Sequence, residues 1–486
     1  MTGREWLALL AFAGPAMTAI AVLAVPARAV PVLARFGLVG SALAALAAAG
    51  VALARPSSGL VGDWVVLDAA AGLMLLVVGL VGLGSLLVSP AYLADHPTAL
   101  IRAGSGPRLY YAALAAFWAV LVAVPLCGNL GIAWLLVEAT TAVSALLVGW
   151  TGKPRALEAG WKYLLLTSLG LGFALLGILI LASGGGGSID ALSWRALAET
   201  APGSEVTLVA YLLLLVGLAA KVGWAPVHNW LPDAHSEAPP PVSALLSGVL
   251  LPVVALVAWR AADALAAPVG GSTTRSLLIG FGLLSLAVAV PFLWRRLAWK
   301  RLLAYSSLEH MGVIAIGIGF GSRLALAGVA VHVVGHALAK GLGFCAAVPL
   351  LGHDPRAADK PARGLVRTRP ALGASMGISL GALAGLPPSP LFVSEVLVVA
   401  GGISVGRYWE AGVTAFLLAL GFLGLAQALV DTTAGRARQR MGDVFPGLRT
   451  VTVLTVTATV LMLVLAGGAL WLPGSALVDA LVKGLG

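Results

Sequence analysis

A lysine ends an uncharged stretch of sequence that is long enough to lie deep in a lipid bilayer. Val206 to Ala220 holds no charged residue, Lys221 follows directly, and Gly223-Trp224-Ala225-Pro226 then interrupts any regular helix. An ammonium group at membrane depth costs free energy and is usually retained for a task, typically in a charge pathway. A helix broken at that depth needs protein or water around its freed backbone groups. Together the two features predict ion movement across a membrane.

The composition shows that this apolar stretch is one of many. Hydrophobic residues make up 60% of the 486-residue chain and charged residues 10%, whereas soluble domains carry about 25% charged residues. The 61 glycines and 27 prolines are better tolerated in membrane helices than in soluble ones. We therefore expect one polytopic membrane domain. We expect no cleavable signal peptide, because Arg4 and Glu5 precede the first apolar run and further runs follow it.

Apolar runs of about 20 residues predict an all-α polytopic membrane protein with about fourteen transmembrane helices. The predicted spans are 5–24, 30–54, 65–88, 110–126, 129–150, 160–182, 206–222, 240–262, 276–294, 303–320, 324–350, 371–402, 411–431 and 451–472. Proline interrupts spans 7 and 12, near Pro226 and near Pro387-Pro388, so both are expected to be discontinuous. Five spans separate the breaks, and an odd offset reverses orientation, as an inverted repeat requires.

Positive charge is distributed unevenly between the two sets of loops. Twenty Lys and Arg residues lie on connections from an odd to an even span. Six lie on the opposite connections, namely Arg55, Arg195, Arg260, Arg275, Arg323 and Arg407. The positive-inside rule places the twenty in the cytoplasm and both termini outside. The external connection from Ser183 to Glu205, which contains four consecutive glycines, is predicted to be flexible.

Glu138 and Lys221 are the first pair of intramembrane candidates for proton translocation. Glu138 lies near the centre of span 5, where a carboxylate must be paired, hydrated or protonated. Lysine changes its protonation readily when desolvated, and a nearby carboxylate holds its charged form. We expect Glu138 to be the partner of Lys221, or otherwise a neutral acid bonded to a neighbouring helix.

Polar residues also follow the break after Lys221. His228, Asp233 and His235 lie there among prolines. The spacing of seven between the two histidines does not favour a metal site, so proton-relay or structural roles are expected. Cys127 and Cys345 lie in separate apolar runs, so we expect small buried side chains and no iron–sulfur or zinc site built by this chain alone.

A second group of candidates lies along span 11. His332, His336 and Lys340 are spaced four residues apart, which places them along one helix face over about 12 Å of axis. Such a polar stripe on an apolar helix predicts a hydrated interior path. Glu395 follows the break Gly385-Leu386-Pro387-Pro388-Ser389-Pro390 and is the candidate terminal site of that path, or otherwise a surface acid beside a kinked helix.

Several other ionisable residues lie near predicted span starts. Two interpretations are open for each of them: an interfacial anchor that reaches the headgroups, or a functional residue. The set comprises Asp68, Lys162, Lys300, Glu309 and His310.

Five segments in this order resemble the antiporter-like membrane subunits of respiratory complex I and its relatives. They read LEAGWKY (157–163), KVGWAPVHNWLPDAHSEAPPPVSALLSGVLLPVVALVAWR (221–260), KRLLAYSSLEHMG (300–312), HVVGHALAKGLGF (332–344) and GLPPSPLFVSE (385–395). The resemblance covers about residues 65 to 430. YSSLEHMG together with the spacing of His332, His336 and Lys340 looks most like the branch in membrane-bound [NiFe] hydrogenases, including formate hydrogenlyase of the hydrogenase-four type.

The resemblance implies an architecture and a set of site residues. It implies N-terminal helices 1–3 over residues 1–109, inverted five-helix repeats over 110–262 and 276–431, and a C-terminal loop and last helix over 432–486. It also implies a coupled pair of Glu138 and Lys221, with His332, His336 and Lys340 continuing the hydrophilic axis to Glu395. Lys162, His228, Asp233, His235, Glu309 and His310 are secondary candidates.

One position departs from the family pattern. Many relatives have a lysine in span 8 where Gly248-Val249-Leu250-Leu251 is followed here by Pro252. Proline holds no proton, so the central transfer passes through water or His332, or the chain does not pump. The resemblance implies a proton- or sodium-translocating subunit of a redox complex in a prokaryotic inner membrane, with [NiFe] or iron–sulfur centres only in partner subunits such as a hydrogenase- or dehydrogenase-like arm. The alternatives are a non-pumping membrane anchor, and a subunit of a stand-alone cation/proton antiporter or of a proton-driven inorganic-carbon uptake system.

Overall fold

The fold is an all-α polytopic membrane bundle, as the sequence predicts. The computed structural model describes residues 3–55, 60–61, 64–95, 106–351, 360–436 and 447–483. Thirteen helical segments in these ranges are long and apolar enough to cross a membrane, against the fourteen predicted. The predicted twelfth span is present as two shorter apolar helices. Arg102, Arg356, Arg438 and Arg440, which contribute to the predicted charge bias, lie outside the described residues.

Within the described ranges, eighteen helices carry the architecture, and shorter turns connect them. They are α1 Gly3–Ala24, α2 Val30–Ala54, α3 Ala69–Asp95, α4 Gly106–Leu126, α5 Leu130–Val148, α6 Pro154–Gly184, α7 Ser204–Val222, α8 Leu231–Glu237, α9 Pro240–Leu245, α10 Leu251–Ala264, α11 Gly271–Leu293, α12 Trp299–Phe320, α13 Arg323–Cys345, α14 Pro370–Leu383, α15 Pro390–Ser404, α16 Tyr408–Ala434, α17 Leu448–Ala469 and α18 Ala476–Lys483.

Burial separates central helices from peripheral ones. Nearly every side chain of α9, α10, α12 and α13 is buried, whereas α1, α6, α16 and α17 expose large apolar side chains. In a bilayer those exposed side chains face lipid, which is as apolar as they are. The histidine and lysine stripe of α13 therefore lies inside the bundle rather than against lipid.

Both predicted helix breaks are present. The first separates α7 from α8, and Gly223 there adopts a φ of 80° that favours glycine. The second separates α14 from α15, where Gly385 has a φ of 69°. Each break contains a cis proline bond, Ala225-Pro226 and Pro387-Pro388. The inverted five-helix repeats remain a prediction.

A π turn joins α9 to α10 around Pro252. Leu246–Leu250 forms this turn, and the N–H of Leu251 donates to the carbonyl of Leu246, five residues back. Pro252 has no N–H and its ring clashes with the carbonyl four residues back in an α-helix. A local π register relieves that clash, and such bulges often mark functional positions.

The start of α3 corrects the predicted third span. The sequence placed that span from residue 65, but Val65–Val66 is a strand that pairs with Leu60–Val61, and the helix begins at Ala69. Asp68 explains this start, because its Oδ1 accepts a hydrogen bond from the N–H of Ala71 at 2.6 Å. Carboxylates at this position satisfy free N–H groups of the first turn.

Arg260 is not a loop residue, which corrects a second expectation. It lies in α10 and is buried, and its Nη2 donates to both carboxylate oxygens of Asp68 at 3.0 Å. Its Nη1 donates to the carbonyl oxygen of Pro125 at 2.8 Å. Asp68 is therefore the partner of a buried arginine, not an anchor that reaches the headgroups.

The external connection before α7 is packed rather than uniformly flexible. It contains turns of helix at Asp190–Leu192 and Leu197–Thr200. Trp194 is buried and its Nε1 donates to the carbonyl of Cys127 at 2.8 Å. The four glycines suggested flexibility, but the apolar residues that follow them bury against the bundle.

Candidate functional site

Lys221 is fully buried in the last turn of α7. Its Nζ donates to Thr141 Oγ1 at 2.6 Å and to the hydroxyl of Tyr163 at 2.5 Å. The C-terminal end of a helix carries partial negative charge, which favours a cation there. Both hydroxyl groups can also accept from a neutral amine, so these contacts suit the lysine in either protonation state.

Hydroxyl groups extend this first cluster towards Glu138. The hydroxyl groups of Tyr163 and Ser144 are 2.8 Å apart, and Ser168 donates to Glu138 Oε1 at 2.6 Å. Glu138 is half-buried, and its Oε2 has no hydrogen-bond partner among the described residues. The carboxyl group therefore has one oxygen free for a proton or a water molecule.

Glu138 and Lys221 do not form a direct contact. The ion pairs within 4.0 Å among the described residues do not include Lys221. Glu138 still lies within electrostatic reach of the amine, and Thr141, one turn beyond Glu138 on α5, carries the contact to Lys221. The structure thus brings the predicted pair into one cluster, in which Thr141 and not Glu138 is a direct partner of Lys221.

Lys340 occupies a comparable position in a second cluster. It is fully buried on α13, and its Nζ donates to the carbonyl of Leu303 and to the hydroxyl of Ser306. Glu309 lies one turn beyond Ser306 on α12, is buried, and has an Oε2 without a partner among the described residues. Glu309 is therefore an interior acid, not an interfacial anchor.

Three histidines pack beside Lys340. The ring centroids of His310 and His332 are 5.1 Å apart, as are those of His310 and His336. Ser394 donates to the carbonyl of Leu391 at 2.7 Å, so its oxygen accepts from Nδ1 of His332 at 2.8 Å. In neutral rings His332 Nε2 then accepts from Nδ1 of His310 at 3.1 Å. In this order of donors, neutral His332 and neutral His310 each carry their proton on Nδ1.

Glu395 closes the second cluster. One side-chain N or O atom from each of His310, His332 and Glu395 lies within 4.8 Å of the others, so the carboxyl group reaches both imidazole rings. Gly385 leaves room for the carboxyl group, since a Cβ there would lie 2.8 Å from Glu395 Oε2. The break therefore folds this acid back onto the histidines.

His235 and Lys300 lie between the second cluster and one end of the bundle. His235 is fully buried, stacks on Phe344, and has neither ring nitrogen hydrogen-bonded among the described residues. Lys300 is buried and donates to the carbonyl of Ala238 at 2.6 Å. Lys300 is therefore not a headgroup anchor, because its amine is directed into the bundle.

A polar cavity of about 520 Å³ opens beside Arg301, the residue that follows Lys300. Lys162 lies there, half exposed, with its Nζ 2.6 Å from Glu158 and 3.6 Å from Asp233. Asp233 also accepts from Arg301 at 2.5 Å. The cavity thus collects charged groups of both signs at the end of the bundle that carries the positive loops. His228, half-buried after the first break, joins neither cluster.

The sequence reasoning missed the hydroxyl groups that hold the two lysines. A partial signal was present, because Tyr163 lies in the LEAGWKY segment and Thr141 and Ser144 follow Glu138 at helical spacing. It also missed Gly421 on α16, where a Cβ would collide with Glu309 Oε1. No local pattern marks that glycine, since its neighbour is 112 positions away.

Comparison with known proteins identifies the family of the chain. Residues 127–421 match the family model described as NADH:quinone oxidoreductase/Mrp antiporter, transmembrane. The chain belongs to this family. It is 31% identical over 377 residues to the hydrogenase-4 component F homolog of Methylacidiphilum infernorum, covering 76% of this chain and 78% of that protein. It is 29% identical over 395 residues to NADH-quinone oxidoreductase subunit N of Desulforudis audaxviator, covering 76% and 75%.

A solved structure supports the fold. A chain of the membrane-bound sulfane sulfur reductase, an archaeal respiratory membrane complex, superposes with a TM-score of 0.83 and 21% identity, covering 98% of this chain and 97% of that one. The chain is thus an antiporter-like, multi-span membrane protein of this family.

Proposed function

We propose that the chain translocates protons as the antiporter-like membrane subunit of a multisubunit redox complex. The observation that carries the proposal is the pair of buried lysines, Lys221 and Lys340, each bonded to neutral oxygens and each close to an acid. A buried lysine without an ion-pair partner loses its proton readily. Each amine can therefore take up and release a proton without leaving its contacts.

The path we propose uses the two clusters in turn. Glu138 and Lys221 form the first part, His332, His336 and Lys340 form the second, and Glu395 is the terminal site. Glu309, His310, His235, Asp233 and Lys162 support proton access, the last two from the polar cavity. The burial of both lysines, Glu309 and the histidines of the path supports these roles, as do the hydroxyl groups beside the lysines, because proton transfer through a membrane protein uses side chains together with water.

The redox complex is inferred from the relatives. The hydrogenase-4 component and the NADH-quinone oxidoreductase subunit are named as parts of redox enzymes. We infer that this chain assembles with other membrane subunits and a hydrogenase- or dehydrogenase-like arm that holds the [NiFe] or iron–sulfur centres. The charge bias of the loops supports a prokaryotic cytoplasmic membrane with both termini on the outer side.

Lys221→Ala tests the proposal in the native complex reconstituted into liposomes. Loss of a positioned proton carrier slows proton transfer by roughly a hundredfold or more, so redox turnover should persist with almost no proton uptake or release. Lys483→Ala, which changes an exposed lysine at the end of α18, is the matched control and should leave pumping intact. Pumping at the wild-type rate in the Lys221 variant would refute the proposal.

A stand-alone cation/proton antiporter is the second candidate, because the family description includes Mrp antiporters. The subunits that purify with the chain distinguish the two candidates. Hydrogenase-like or dehydrogenase-like subunits support the redox complex, whereas sodium-dependent proton exchange by a complex without them supports the antiporter. Redox turnover without proton flux in the wild-type complex would instead indicate a non-pumping anchor.

A further inference from the structure

Pro252 stands where many relatives have a relay lysine, and its surroundings give it a role of its own. The N–H of Leu251 donates to the carbonyl of Leu246 in the π turn. The next bond of that register would run from residue 252 to the carbonyl of Ser247. Proline has no N–H, so this bond is missing and the Ser247 carbonyl is free of a helical partner.

His336 takes the place of the missing helical donor. Its Nε2 lies 3.3 Å from the Ser247 carbonyl oxygen. Because a carbonyl only accepts, the proton of that bond belongs to Nε2. Nδ1 of the same ring is buried and has no partner among the described residues. A neutral His336 therefore carries its proton on Nε2 and a free lone pair on Nδ1.

We propose that Pro252 is a positioning residue that fixes the tautomer of His336 and makes Nδ1 its proton-exchanging nitrogen. The inference rests on the proposed function and deepens it. His336 takes a proton at Nδ1 from one neighbour and becomes an imidazolium. It returns the same proton from Nδ1 to another neighbour, while the Nε2–H bond to Ser247 persists throughout. The imidazole ring of His336 therefore does not need to flip between the two proton transfers.

The neighbours of His336 fit this role. The ring of His310 is 5.1 Å away by centroid, and Lys340 lies one turn further along α13. Ser247 is also tied to α12, because its hydroxyl is 2.7 Å from that of Ser307. The π turn thus holds the histidine beside the second lysine, and a lysine at position 252 is not required for a titratable group at this depth.

The tautomer is measured directly by nitrogen NMR of the full chain in lipid bilayers. The chain contains 7 histidines, and labelling them with nitrogen-15 separates ring nitrogens that carry a proton from those that do not. His336→Gln identifies the His336 signals by their loss. We expect wild-type His336 to carry its proton on Nε2 at a pH where the ring is neutral. A proton on Nδ1 instead overturns the proposal, even if the Pro252 variant does not fold.

Pro252→Ala restores an N–H that competes for the Ser247 carbonyl. We expect the fraction of His336 with its proton on Nε2 to fall. Proton transfer in the native complex should slow by roughly three- to tenfold, because one net hydrogen bond changes an equilibrium by about that factor. If Pro252 only stabilised the fold, its replacement would lower thermal stability and transport together. We expect thermal stability to be unchanged or higher while transport falls, because replacing a mid-helix proline by alanine favours the helix.

Two control variants isolate the carbonyl. Pro15→Ala changes a proline inside α1, remote from both clusters, and should alter neither the His336 signals nor transport. Ser247→Ala removes the hydroxyl but keeps the carbonyl, so the tautomer should stay on Nε2. Unchanged signals and unchanged transport in Pro252→Ala overturn the proposal. A wild-type complex that moves no protons contradicts the proposed function instead, and the tautomer measurement still decides what Pro252 does.

Discussion

Buried charge occurs in two different surroundings in this molecule. Asp68 and Arg260 form a closed pair, with two bonds from one Nη atom to the carboxylate and further bonds from each partner to the backbone. Lys221 and Lys340 have no ion-pair partner within 4.0 Å among the described residues and bond only to hydroxyl and carbonyl oxygens. A closed pair holds its charges permanently. A lysine among neutral oxygens can exchange its proton, which is what transport needs.

Breaking the closed pair should have the largest effect on stability. Asp68→Asn keeps the side-chain cap of α3, because asparagine caps helices as well as aspartate, but it leaves Arg260 as an uncompensated buried charge. We expect a loss of about 3–5 kcal/mol in unfolding free energy, measured by unfolding in mixed micelles. Proton transfer per assembled complex should stay at the wild-type rate.

An exposed ion pair supplies the control for that variant. Arg323 and Asp479 pair at the surface, with side chains 48% and 47% exposed, so Asp479→Asn should cost less than about 1 kcal/mol. If Asp68→Asn stops transport in complexes that assemble fully, the division between structural and exchangeable charge is wrong.

A smaller effect is expected from the hydroxyl groups around the two lysines. Tyr163→Phe removes one of the two bonds of Lys221, and hydrogen bonds to charged groups are worth about 1.5–3 kcal/mol. We expect proton transfer to slow by about tenfold or more in stopped-flow measurements on liposomes. Ser306→Ala should slow it to a comparable degree, because it also leaves its lysine with one bond, from Lys340 to the Leu303 carbonyl. An unchanged rate in either variant would remove that hydroxyl contact from the account of its cluster.

Gly421 offers a test of the acid beside Lys340. A Cβ at this position of α16 collides with Glu309 Oε1, so Gly421→Ala should displace the carboxyl group and cost about 1–3 kcal/mol through overpacking. Transport should fall severalfold. Gly412→Ala is matched on the same helix, since a Cβ there meets nothing within 4 Å, and we expect unchanged transport. Equal behaviour of the two variants would remove Glu309 from the path.

Local signals predicted the parts of the fold and site that lie close together in sequence. The two breaks were predicted because proline acts on its own helix, and the stripe on α13 because steps of four share a face. The contact of Arg260 with Asp68 spans 192 positions, and no single sequence reports such a distance. Lys300 was open to interpretation as an anchor for the same reason, because its carbonyl partner belongs to another helix.

The side chains that the structure brings together were predicted better than the contacts between them. Glu138, Lys221, His332, His336, Lys340 and Glu395 all fall into the two clusters. The hydroxyl groups of Thr141, Tyr163 and Ser306 complete the clusters, yet serine, threonine and tyrosine occur throughout membrane helices without function. Only packing shows which of them face a lysine.

The hydration of the space between Lys221 and Lys340 tests the central claim most directly. Exchange between the two lysines needs water wherever side chains do not touch, so a cryo-EM map of the native complex in lipid, at a resolution that resolves water, should show ordered molecules linking the first cluster to the second. A dry apolar barrier between the clusters in that map, in complexes that are pumping protons, would contradict transport along this path.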